Sequence, residues 1–166
     1  MLRSFDGVEP TVHEDAYVDP ATAVTGDVTL EADASVRPNV TLRSDHGPIV
    51  LREGANVQDD AVMHEGGKIG PHATVGHTAI VHGAEVRERA LVGTGATVLD
   101  RSVVDERAMV GADGLVPGDT DLEPSTLYAG VLVEKVGEAE ESPWAYAGDR
   151  YVRLAQEHAE NPEPLE

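Results

Sequence analysis

The sequence predicts a mainly β protein: a parallel coil of short strands built from six-residue repeats, with one C-terminal α-helix packed along it. Three observations predict it. First, Val12, Val18, Val24, Leu30, Val36 and Leu42 are spaced by six, as are Leu51, Val57, Met63, Ile69, Val75 and Val81, and then Val86, Val92, Val98, Val104, Val110 and Val116. Second, four residues after most of these aliphatics stands a small or β-branched side chain, among them Ala16, Thr22, Ala34, Ala61, Ala79, Ala96, Ser102 and Ala108, which permits a tight corner. A helical period of 3.6 cannot stay in phase with such a repeat, whereas short strands separated by corners can. Third, the pattern stops after Val116, and a helical pattern follows a turn-rich stretch.

In chain order, the repeat predicts a coil from about residue 8 to about 120 within a single domain of 166 residues. Three hexapeptides close one rung, and rungs stack at the strand spacing of about 4.8 Å. Between Leu42 and Leu51 the step is nine, so the coil is expected to extrude a loop around "SDHGPI"; between Val81 and Val86 it is five, which tightens a corner. After Val116 the pattern stops in "PGDTDLEPSTLYAG", rich in turn formers, and residues 121–142 read as a crossover. Ser142 is placed to cap a helix with Pro143 at its first position, and Trp144, Tyr151, Leu154 and Ala155 fall near one face, predicting a helix over 143–160 laid against the coil. Residues 161–166 are expected to form a loose end. The repeat residues resemble those of the hexapeptide-repeat left-handed parallel β-helix, whose hand departs from the usual right-handed crossover.

Composition narrows the function classes. The net charge of −19 comes from 31 acids against 12 bases, only two of them lysines, Lys68 and Lys135. Such a surface repels nucleic acid and anionic membranes. The many regularly placed valines and alanines argue for a folded core rather than disorder, and an acid-rich, lysine-poor surface points to a salt-rich cytosol, where screening relieves self-repulsion. No cysteine is present, so any metal must sit on nitrogen or oxygen. The N-terminal stretch has no apolar core of a secretion signal and no run is long enough to span a membrane; a cytoplasmic protein is expected. A small, aromatic-poor domain gains buried area by associating, so an oligomer is expected as well.

Four of the seven histidines lie between residues 56 and 83. His64 follows Met63 and His82 follows Val81, eighteen residues apart, so they are expected on one outer face of adjacent rungs, about 5 Å apart at the backbone. That suits two imidazoles converging on one ion. His77, anchored on Val75, leaves a face turned away by about 120°, as three equal sides require. It completes a three-histidine site only if three prisms pack about an axis and share the site between chains. His72, His13, His46 and His158 read as surface residues.

The segments "LRSD" at 42–45, "NVQDDAVMH" at 56–64, "VGHTAIVHG" at 75–83 and "LYAG" at 127–130 resemble the motifs of γ-class carbonic anhydrases, and the likeness spans nearly the whole chain. The resemblance implies a homotrimer in which His64 and His82 of one chain and His77 of the next bind Zn2+, or Fe2+ or Co2+. It implies that Arg43 and Asp45 bridge subunits beside the metal, that Gln58 orients the nucleophile with Asp59 beside it, and that Tyr128 lies near the pocket. The implied reaction is the reversible hydration of CO2 to bicarbonate. Three neutral histidines leave zinc an open position and bring the pKa of water there to about 7. The segment "HEGGKIG" lacks the acidic loop that shuttles protons in some members, leaving Glu65 as its single acid. Ser44 stands where glycine is usual, and "GVLVEKV" lacks a common proline. Two other readings share the fold: a metal-binding trimer serving as a scaffold, and a hexapeptide-repeat acyltransferase with an unmetallated histidine as general base.

Overall fold

The computed structural model describes residues 1–160, and the expected loose end at 161–166 lies outside the described residues. The chain winds into a left-handed parallel β-helix of about seven turns, followed by one helix. Its core is three columns of stacked aliphatics. In the first, Val24 pairs with Leu42, Leu42 with Met63, Met63 with Val81, Val81 with Val98, and Val98 with Val116. The second runs Leu30, Leu51, Ile69, Val86, Val104, Leu122. The third runs Val18, Val36, Val57, Val75, Val92, Val110, Tyr128.

Every repeat aliphatic from Val24 to Val116 is no more than 1% exposed, while Val12 and Val18, at the open end, are only partly buried. Burying one such side chain contributes about 1.5–3 kcal/mol, so the columns are the main source of stability. The corner alanines are small because they point into the same core: Ala34, Ala55, Ala61, Ala73, Ala79 and Ala96 are fully buried. Corners turn through left-handed backbone, as at Asp60 (φ 60°) and Thr78 (φ 58°).

Four local expectations are corrected. The insertion after Leu42 is not an extruded loop: Thr41–Leu51 is a continuous strand whose register against Ala23–Leu30 shifts between Gly26 and Val28. The added residues are taken up as a bulge at one corner, which keeps both ends paired and turns Asp45 and His46 toward the next rung. The coil also outlasts residue 120, because Leu122 and Tyr128 continue the spacing of six and their strands, Asp121–Leu122 and Thr126–Ala129, pair with the rung below. At the other end, Leu2–Arg3 already pairs with Val24 and Thr25, before the expected start.

The helix spans Ala147–Glu160 rather than starting at 143. Ser142 does accept a bond from the Trp144 amide at 3.2 Å, but the Ala145 and Ala147 amides bond three residues back, so the segment winds as tight turns before the helix begins. Trp144 is consequently not packed beneath the helix and is 51% exposed. The helix lies over the strands Tyr17–Val18, Ser35–Val36 and Asn56–Val57. Arg89 fastens its first turn: Asp149 accepts a bond from Arg89 Nη1 at 2.9 Å, which holds its carboxyl below the usual range, and it packs 3.0 Å from His72 Nδ1 without a hydrogen bond to it. His72 is therefore a docking residue of the helix and not a free surface histidine. Among the described residues no helix is long and apolar enough to cross a membrane.

Candidate metal centre

His64 and His82 end the strands Val62–His64 and Ile80–His82, directly opposite each other in the ladder. Their rings meet edge to face with centroids 5.2 Å apart. The stacking follows from each histidine keeping the same offset from a core aliphatic. His82 Nδ1 lies 2.9 Å from Asp100 Oδ1, one rung further on. Gly83 makes room for that contact, since a Cβ there would stand 2.5 Å from the same oxygen. A carboxylate on Nδ1 fixes the proton there and leaves Nε2 with its lone pair outward, the second-shell arrangement of a metal-binding histidine.

Around His64 Nε2 converge Arg43 Nη2 at 2.7 Å, Asp45 Oδ2 at 3.1 Å and Glu65 Oε1 at 3.3 Å. Arg43 faces His64 in the ladder, and its Nε lies 2.8 Å from Asp45 of the same chain, beside the histidines. The corner bulge delivers Asp45 there. Glu65 is held on a second side too: its Oε1 lies 3.1 Å from Nδ1 of His46. His46 thus has a partner as well, contrary to its reading as an isolated surface residue.

His77 sits on the corner after Thr74–Val75, outside the group formed by His64, Glu65 and His82. Its Nδ1 lies 3.1 Å from Asp59 Oδ2, an ion-pair contact without the hydrogen bond that His82 makes to Asp100. It borders a groove of about 300 Å³ walled by Leu91, Met109, Leu127, Trp144 and Tyr151. Gln58 is buried, at 2% exposure. Its amide nitrogen donates to Asn56 Oδ1 at 2.5 Å, and Asn56 donates in turn to Thr74 Oγ1 at 2.9 Å. Tyr128 occupies an aliphatic position of the third column, three rungs from Val75, and its hydroxyl accepts from the Glu123 amide at 3.0 Å. Within one chain it is not brought to the histidines.

Asp100, Asn56 and the aim of Glu65 were missed by reading the sequence. Asp100 had a usable signal, since it stands one rung after His82; Asn56 had only its neighbour Gln58. His64, Glu65 and His82 bring donor atoms within 4.8 Å of one another, His82 with its Nδ1 held by Asp100, and with no thiolate present this nitrogen and oxygen donor set fits Zn2+, Fe2+ or Co2+.

No family model matches the chain. It is 35% identical over 172 residues to the mitochondrial γ carbonic anhydrase 2 of Arabidopsis thaliana, covering 96% of this chain and 62% of that protein, and 33% identical to γ carbonic anhydrase 1 of the same plant, covering 99% and 65%. The chain thus spans just under two thirds of those plant proteins. It is also 35% identical to the carnitine operon protein CaiE of Escherichia coli K12, over 80% of this chain and 70% of that one. Among solved structures, a hexapeptide transferase family protein from Anaplasma phagocytophilum superposes with a TM-score of 0.90 at 28% identity, over 95% of this chain and 98% of that one. The N-acyltransferase AntD of Bacillus cereus, at 14% identity and a TM-score of 0.63 over 95% of this chain and 90% of its own, shares the fold alone. Repeat, histidine geometry and kinship agree, and the chain belongs to the γ-class carbonic anhydrase family of hexapeptide-repeat left-handed β-helix proteins.

Proposed function

We propose that the protein is a metal-dependent carbonic anhydrase working at the interfaces of a homotrimer, with His64 and His82 from one chain and His77 from its neighbour holding Zn2+, or Fe2+ or Co2+. The observation that carries this reading is the stacked pair of His64 and His82 on one face, His82 bonded at Nδ1 to Asp100, with His77 on another side of the prism 3.1 Å from Asp59. A metal bound there supplies the Lewis acidity that makes water a nucleophile near neutral pH.

This chain's residues do the rest. Asp100 holds the His82 imidazole in the ligating tautomer. Gln58 has its amide nitrogen committed to Asn56, so its carbonyl oxygen is the end left to accept a hydrogen bond from the attacking water and aim its lone pair at carbon dioxide. Arg43 offers a guanidinium beside His64, where the bicarbonate product gains its negative charge, and Asp45 keeps that guanidinium in place. Tyr128, distant from the histidines in its own chain, takes part only from across an interface. The acidic surface suits a salt-rich cytosol and leaves nucleic acid and membranes excluded as partners.

The groove beside His77 and the kinship with transferases support a second reading, an acyltransferase with His77 as its base. Metal content separates the two.

The shared site is tested by mixing. His64→Ala and His77→Ala proteins are unfolded together and refolded. In any mixed ring one interface joins a chain that keeps His64 to a neighbour that keeps His77, so random mixing restores about a quarter of all three-histidine sites. Hydration of carbon dioxide by stopped flow is expected to return to about that fraction of wild type. Mixed trimers, verified by mass spectrometry, that are no more active than their parents would refute the shared site.

A further inference from the structure

We infer that Glu65 is itself a metal ligand, so that one chain alone presents two histidines and a carboxylate and captures the ion before the neighbour's histidine arrives. This rests on the reading of His64 and His82 as ligands. One donor atom from each of His64, Glu65 and His82 lies within 4.8 Å of the other two. Donors about 2.0–2.2 Å from one tetrahedral ion stand about 3.3–3.6 Å apart, and Glu65 Oε1 lies 3.3 Å from His64 Nε2. That separation matches an edge of such a tetrahedron.

Asp45 is as near to His64, at 3.1 Å, but its charge is met by Arg43 at 2.8 Å; the second contact of that guanidinium, Nη2 to His64 Nε2 at 2.7 Å, is the one an ion would displace. A carboxylate bound to a guanidinium is a poor donor to a cation, because its charge is already met. Glu65 has no such cation. Its other partner is His46, whose Nδ1 lies 3.1 Å from the same oxygen and holds the carboxylate in place. The backbone explains the aim. Glu65 sits in the left-handed corner at φ 59°, followed by Gly66 and Gly67 at φ 80° and 134°. This abrupt return to the ladder tips the side chain back over His64 and His82.

Two histidines and one carboxylate on one side of an ion are a known ligand set for divalent metals. A neighbour's His77 then adds a fourth donor to an ion already bound. Such a chain loads metal before or without assembly, and its carboxylate competes with small anions for the ion.

Cobalt titration of the full-length protein, read by visible absorption and by competition with a chromophoric chelator, tests this without reference to activity. His77→Ala is expected to keep one Co2+ per chain. Glu65→Gln placed on it is expected to weaken Co2+ by at least about tenfold, and Glu65→Gln alone to change the visible bands as an oxygen donor is lost. His46→Ala, which removes the brace but no ligand, is expected to cost less and to leave the bands in place. Unchanged affinity and bands in both Glu65→Gln proteins would overturn the assignment while leaving the histidine site standing, provided wild type binds Co2+. A His46→Ala loss equal to that of Glu65→Gln, with no spectral change in either, would also overturn it and make Glu65 a corner brace. Wild type that binds no Co2+ would remove the metal reading and this inference together.

Discussion

The lower rungs of the prism, through Gly83, and the upper rungs, from Ala84 onward, are built from the same repeat and put it to different use. The upper rungs keep an unbroken step of six from Val86 to Tyr128. Their surface carries ion pairs between residues eighteen apart: Arg87 with Asp105 at 2.9 Å and Arg101 with Asp119 at 2.6 Å. His82 and Asp100 have the same spacing and nearly the same distance, 2.9 Å. The difference is chemical. An arginine spends its charge on the carboxylate and is finished, while an imidazole bound at Nδ1 still has a lone pair at Nε2 to give. The lower rungs also break the period twice, and each break serves the histidines. The nine-residue step delivers Asp45 and His46, and the five-residue step at Gly83 admits Asp100. Regular rungs stabilise; the irregular ones gather donors.

The sharpest way to break this comparison is to treat the two kinds of pair alike. Asp100→Asn is expected to weaken metal binding about 10–100-fold, or about 1.4–2.7 kcal/mol, because the carboxylate no longer fixes the tautomer of His82. Asp119→Asn, on the same spacing but paired to Arg101, is expected to leave metal affinity unchanged. Chelator competition on both proteins measures the contrast, and equal losses would mean that Asp100 is only another surface acid.

Smaller in effect is Gln58→Ala, which leaves all ligands in place. Hydration turnover is expected to fall about 10–100-fold through loss of orientation, with metal stoichiometry near wild type. Metal loss instead would make the Gln58–Asn56 bond a support of the site's frame.

The smallest expected effect concerns the whole surface, where two opposed responses to salt meet. Salt weakens exposed pairs such as Arg101–Asp119, but it also screens the repulsion among 31 acids facing 12 bases. The excess of acids decides the sign, and the melting temperature is expected to fall as salt is reduced from molar to millimolar, by about 2–4 °C per kcal/mol of stability lost. A flat or rising curve would show that the ion pairs outweigh the net charge.

Much of this was legible in the linear chain, and the reason is periodicity. A strand side chain that keeps a constant offset from a core aliphatic keeps a constant face, so His64 and His82 had to stack once Met63 and Val81 did, and His77 had to leave by another face. The same rule, carried one rung further, reaches Asp100 and extends the coil to Tyr128. What the tertiary structure alone decided lies at the corners and beneath the helix. Whether three added residues leave as a loop or stay as a bulge depends on the strands on both sides, not on their own composition. The aim of Glu65 depends on a left-handed backbone that its sequence neighbours permit but do not dictate. Gln58 is inward because Asn56, itself held by Thr74, is there to bond it, and Trp144 remains exposed because the helix starts where Arg89 fastens Asp149. The period settled what the backbone repeats; packing across rungs settled where each polar side chain ends, because those contacts join residues far apart in sequence.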